Sequence, residues 1–199
     1  MRILWSARWE YDKDPEAFFK AIDVLDTKGI DFRLSVIGGG REREIMPVFE
    51  WAQDRFRKKI EHWGYLEARE KYVDVLSKAD VIVSTAQHEF FGIGMLEAVA
   101  AGAYPLVPNR LVYPETLGPR QPTTLFELPT PLKELPTPLK ELPTPLKELR
   151  RTSRRTSQRT GRRPRESGKD NFFYDGDENV LAERLEQLAD RVDKGRIQA

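Results

Sequence analysis

"ADVIVSTAQHEFFGIGMLEAVAAG" occupies residues 79–102 and passes from a β-branched run, through a polar loop with a glycine pair, into an apolar helical run. A short Val/Ile run followed by helix spacing is how a buried strand and its crossover helix read. Strand, loop and helix in that order form one half of a parallel crossover unit. The same stretch sets Glu89 and Glu97 eight positions apart, with Gly92 and Gly94 between them.

The scheme repeats outward in both directions. Residues 2–7 read as a strand, and Asp14, Pro15 and Glu16 then open a helix to about Lys28 with a capping residue, a first-turn proline and an acidic first turn. Its apolar face is Phe18, Ile22 and Leu25. Residues 32–40 form a strand emptying into Gly38–Gly40, followed by a helix to about Arg57. Strands at 59–64 and 103–107, a helix at 68–77, and a strand, turn and helix over 171–192 complete the pattern. The expected fold is α/β, a Rossmann-like parallel sheet with helices on both faces. It divides into residues 1–117, an insert over 118–170, and residues 171–199 that return to the same domain.

The insert is the unusual part. "ELPTPLK" occurs three times unchanged, at 127–133, 134–140 and 141–147, and two prolines per seven residues forbid a coiled coil despite the heptad spacing. Residues 150–169 then carry eight Arg and one Lys against one Glu, a net of +8 that leaves −7 for the rest of a chain whose total is +1. Such composition buries too little apolar surface to offset its ordering entropy, so the segment is expected to be disordered, polyproline-like in its first half. It reads as a repeat expansion or sequence error in a surface loop, or alternatively as an RNA-contacting arm.

With 199 residues the chain has room for one α/β domain, and an overall charge of +1 gives no global pull toward nucleic acid or membrane. There is no cysteine, which excludes disulfides and thiolate metal sites. No stretch approaches the roughly 18 apolar residues of a membrane span. A soluble, unexported, cytoplasmic protein is expected.

In an open parallel sheet, ligands bind beyond the carboxyl ends of the strands. Four loops fall there: Ser6–Lys13, Gly38–Gly40, Gly64–Leu66 and Thr85–Gly94. A helix starting near Gly92 presents unpaired N–H groups and a positive dipole end, a natural seat for a phosphate. Eight helical positions span roughly 12 Å. That is the scale of a sugar nucleotide, whose hydroxyls flank a diphosphate and suit a carboxylate at each end. Arg8 and Lys13, across "RWEYDK", can reach over the crevice to neutralise a diphosphate leaving group.

Taken singly, each of these residues also has an ordinary structural reading, as a solvated charge or a turn. His62 and His88 read as structural, and no cluster of Asp, His or Cys has metal-ligand spacing. Trp63 and Tyr65 suit stacking on a nucleobase, and Trp63 equally suits the core. "GGGRERE" lacks the Gly-Lys-Ser/Thr ending of a P-loop and fails the G-x-G-x-x-G dinucleotide pattern.

Together "RWEYDK", "HWGY", "ADVIVSTAQHEFFGIGMLEAVAAGAYPLVPNRLVYPE" and "FFYDGDENVLAERL" resemble the carboxy-terminal, donor-binding half of the retaining family 4 glycosyltransferases. These enzymes have the GT-B fold, two Rossmann-like domains with the active site between them. "HWGY", "STAQHEFFGIGMLEAV" and "YPLVPNRLVYPE" are similar, more narrowly, to the subgroup that mannosylates queuosine in tRNA. The resemblance covers residues 2–117 and, less specifically, 171–192.

It implies a hexosyltransferase with GDP-mannose as donor, a tRNA acceptor, retention of anomeric configuration, and neither metal nor cofactor. By resemblance Arg8 and Lys13 hold the donor diphosphate, Glu89 contacts the hexose and Glu97 the ribose. Gly64, Tyr65, Phe91, Gly92, Ile93 and Gly94 complete the donor site. The family's amino-terminal acceptor domain has no counterpart here, so the chain is expected to bind nucleotide sugar weakly and, alone, to transfer nothing. Another sugar nucleotide, such as UDP-glucose, and a non-catalytic domain displaying the basic arm to RNA are the competing readings.

Overall fold

A computed structural model describes residues 1–39, 46–118 and 172–193. Among these residues six strands form one parallel sheet: β1 (Arg2–Ala7), β2 (Arg33–Gly38), β3 (Ile60–Gly64), β4 (Val81–Val83), β5 (Tyr104–Pro108) and β6 (Phe173–Tyr174). Their order across the sheet is β3-β2-β1-β4-β5-β6, with every pair parallel. Strand order therefore reverses between β1 and β4, and the crevice at such a switch point is where open α/β sheets bind ligands.

Among the described residues six α-helices lie between or after the strands: α1 (Pro15–Thr27), α2 (Pro47–Arg55), α3 (Arg69–Lys78), α4 (Ile93–Ala101), α5 (Tyr113–Leu117) and α6 (Glu178–Asp193). They cover both faces, as side chains alternating along each strand require. Ile3, Trp5, Leu34, Val36, Val81 and Val83 point into a core under α1, α2 and α6. Leu4, Ile37, Ile82 and Val107 point the other way, beneath α3, α4 and α5.

Local chemistry sets the helix ends. The Asp14 carboxylate accepts from the Ala17 N–H at 3.2 Å and caps α1, with Pro15 in the first turn. Phe18, Ile22 and Leu25 on its inner face are fully buried. Asp177 caps α6 by accepting from the N–H groups of Asn179 and Val180 at 2.7 and 3.2 Å, and these bonds hold its carboxyl below the usual range.

Three elements depart from the sequence expectation. Helix α2 ends at Arg55 instead of Arg57. Tyr11–Lys13 forms a single 3-10 turn inside the loop after β1, and α5 follows β5 where the sequence reading assigned no element. The repeats and the Arg-rich stretch, and with them the RNA-arm reading, lie outside the described residues, as does Gly40.

Candidate functional site

A cavity of about 580 Å³ opens at the carboxyl ends of the strands, walled by the loops after β1, β2, β3 and β4. It brings together Arg8, Lys13, Tyr65, Glu89, Phe91, Gly92, Ile93 and Gly94, and adds Gly38 and Gly39. Gly38 has φ 113°, and a Cβ there would sit 2.0 Å from the Ala7 carbonyl oxygen. Only glycine lets β2 close against β1 at this rim. Gly64 and Glu97 are not among the lining residues.

Glu89 folds back on its own loop. Its Oε1 accepts from the backbone N–H groups of Phe90, Phe91 and Gly92 at 3.1, 3.4 and 3.1 Å. Gly92, with φ 71°, then turns the chain into α4. Among the described residues, no hydrogen bond engages the N–H groups of Ile93, Gly94 and Met95, the first turn of that helix. Their dipoles face the cavity rim and favour a negative charge.

The two cations behave differently. Lys13 is 7% exposed, donating to the His88 carbonyl at 2.5 Å and pairing with Asp12 at 3.0 Å and Glu89 at 3.5 Å. It does not reach over the crevice; it holds the β1 and β4 loops together and neutralises Glu89 from beneath. Arg8 is exposed at the rim, paired with Glu10 at 2.7 Å.

Residues 2–133 match the family model for glycosyl transferases group 1. The chain belongs to that family. A relative, the tRNA-queuosine alpha-mannosyltransferase of Drosophila melanogaster, is 41% identical over 115 residues, 58% of this chain and 30% of the relative. The chain thus spans less than a third of that relative's length. The catalytic domain of the cholesterol-alpha-glucosyltransferase from Helicobacter pylori superposes with a TM-score of 0.53 at 14% identity, covering 98% of this chain and 91% of that one. At that identity the likeness speaks for the fold alone.

In this glycosyl transferase domain Glu97 lies in the seam between α3 and α4. Its Oε1 accepts from Arg69 at 2.8 Å and its Oε2 from the Tyr72 hydroxyl at 2.7 Å. Arg69 also lies over the Tyr72 ring, 4.8 Å from its centroid. Burial, with the Glu97 carboxylate added, pushes the Tyr72 phenol well above its ordinary range, so the hydroxyl stays a donor. The 16%-exposed Glu97 side chain keeps spare lone pairs, but its two oxygens already have partners.

The aromatic residues also divide. Trp63 packs on Trp9, Phe19 and Phe49 and belongs to the core. Tyr65, 75% exposed, lines the cavity mouth with Phe90, 82% exposed, which the sequence reading did not single out. His62 meets Ser35 at 3.3 Å, and the His88 ring stands edge-on to Phe90. Ser84 and Tyr113, also absent from the sequence reading, line the cavity and share a 2.7 Å hydrogen bond. Burial pushes the Tyr113 phenol up to about 12. The signal for Tyr113 was "YPE", a proline and an acidic residue opening a helix.

Among the described residues no group of three or more His, Asp or Glu is arranged to hold a metal ion, and no helix is long and apolar enough to cross a membrane.

Proposed function

We propose that this chain is the donor-binding half of a retaining glycosyltransferase that takes mannose from GDP-mannose and, with an acceptor-binding domain, delivers it to queuosine in tRNA. The observation that carries the sugar-nucleotide reading is one wall of the cavity, where the Glu89 carboxylate and the open N–H end of α4 lie side by side. A diphosphate suits the helix end, and a polyol beside it suits the carboxylate. Mannose and queuosine rest on the name of the Drosophila relative.

In this reading the helix end and Arg8 stabilise negative charge on the diphosphate as its bond to the sugar C1 breaks, with Lys13 acting through Glu89. Phe91, Gly92, Ile93 and Gly94 shape the phosphate wall, Gly64 and Tyr65 the base side, and Glu89 takes hexose hydroxyls. Glu97, which does not line the cavity in this structure, would serve the ribose only by sharing its oxygens between the sugar and Arg69 and Tyr72. No metal or cofactor is required in this scheme. Residues 118–170 are proposed to interrupt the domain, which resumes at 171–199.

Calorimetric titration with GDP-mannose, GDP and UDP-glucose tests this. Both GDP ligands should bind and UDP-glucose should bind less well, and Arg8→Ala should weaken the GDP ligands by on the order of tenfold, one charge-assisted hydrogen bond. Absence of binding, or a preference for UDP-glucose, would sink the reading.

A further inference from the structure

All the polar backbone and side-chain atoms of Ser84, at the end of β4, are engaged. Its N–H donates to the Leu106 carbonyl at 3.0 Å. Its carbonyl accepts from the Tyr174 hydroxyl at 3.0 Å. Its Oγ accepts from the Ala86 N–H at 3.2 Å and meets the Tyr113 hydroxyl at 2.7 Å. The two tyrosines are 2% and 4% exposed and come from either side of residues 119–171, Tyr113 from α5 and Tyr174 from β6.

Tyr113 reaches further. A Cβ built on Gly92 would lie 3.3 Å from its ring carbon and 3.7 Å from Cγ of Glu89, so the ring forms the floor beneath the turn that presents the Glu89 carboxylate. That turn holds no regular secondary structure of its own before Ile93. Its shape depends on Glu89's bonds to the N–H groups above and on the Tyr113 ring below.

We propose that Tyr113 is a positioning residue of the donor site: locked to Ser84 by its hydroxyl, it fixes the Glu89–Gly92 turn from beneath, with Tyr174 bracing Ser84 from the far side. The inference rests on the donor-site reading for its effect on ligands, but its structural half stands without any ligand. Geometry at the cavity wall is thereby set by residues about sixty positions further along the chain than α5 as well as by the loop itself.

Amide hydrogen exchange on the ligand-free full chain tests the structural half. In Tyr113→Phe, exchange at Phe90, Phe91 and Gly92 should quicken by about three- to tenfold, the weight of one buried hydrogen bond, while Leu4 and Val36 in the sheet hold their rates. Ser84→Ala, which keeps the ring, should give the same pattern and serves if the first variant folds poorly. Tyr174→Phe should give a smaller rise at the same amides. Unchanged exchange at 90–92 in both Tyr113→Phe and Ser84→Ala, or an equal rise throughout the sheet, overturns the proposal.

Titration tests the functional half. GDP-mannose affinity should fall about three- to tenfold in Tyr113→Phe, with GDP changing by less than about twofold because it lacks the hexose that meets Glu89. Equal losses for both ligands would overturn the assignment to Glu89. If the unaltered chain binds neither ligand, the donor-site reading fails, and the exchange experiment alone decides whether Tyr113 positions the turn.

Discussion

On one face of the sheet Trp5, Phe18, Phe19 and Phe49 pack together with ring centroids 5.2 to 5.9 Å apart, and α1, α2 and α6 seal them. On the other face the strands alternate aliphatic residues with serines: Leu4 with Ser6, Ser35 with Ile37, Ile82 with Ser84. Ser35 meets His62 and Ser84 meets Tyr113, while Ser6 lies 3.4 Å from where a Cβ on Gly94 would stand. Helix α4, whose first turn lines the cavity, sits on this second, serine-bearing face. Dense aromatic packing anchors one side of the sheet, and hydrogen bonds with fixed geometry aim side chains on the other.

Phe18→Ala is the largest expected test of that division. It should cost about 3–5 kcal/mol, a large part of a domain's usual 5–15 kcal/mol. Urea denaturation reads the loss, and a cost below about 1.5 kcal/mol would mean that the aromatic face is not the anchor. Tyr72→Phe probes the polar face and should cost about 1–2 kcal/mol by removing a donor to the Glu97 carboxylate. A loss as large as that of Phe18→Ala would erase the contrast between the faces.

The smallest effect lies at the rim of the aromatic face. Asp26 accepts from Lys59 at 2.7 Å and pairs with Arg55 at 2.6 Å, and the Lys59 bond, ahead of the Arg55 contacts, holds its carboxyl below the ordinary range. A depressed folded-state value contributes stability above the ordinary aspartate value near 4, which is lost as pH falls through the folded one. Asp26→Asn should therefore lower stability at pH 7 by about 1 kcal/mol or less and leave it nearly unchanged near pH 2. An equal deficit at both pH values would contradict the ion-pair origin.

Most of the fold was legible because its signals are local. β-branched runs marked β1, β2 and β4, and Asp14-Pro15-Glu16 marked the start of α1. The parallel order placed four predicted loops around one cavity. What escaped reading depends on partners distant in sequence. Lys13 read as a cation reaching over the crevice, whereas the return of the β4 loop buries it against His88, 75 positions away. Glu97 has the right spacing from Glu89, yet its rotamer is decided by Arg69 and Tyr72 on a different helix. Spacing along a chain fixes which side of a helix a residue occupies, but not which neighbour takes its charge.

Glu89's grip on its own loop has a further consequence. A binding loop that is mobile when empty loses conformational entropy on meeting its ligand, about 0.5–1.5 kcal/mol for each ordered side chain. Here three amides and a carboxylate are already in register, with a left-handed glycine fixing the entry to α4. That ordering is completed when the chain folds, so in the proposed donor-site reading a ligand would meet a shape that already exists and association would need no slow rearrangement of this wall.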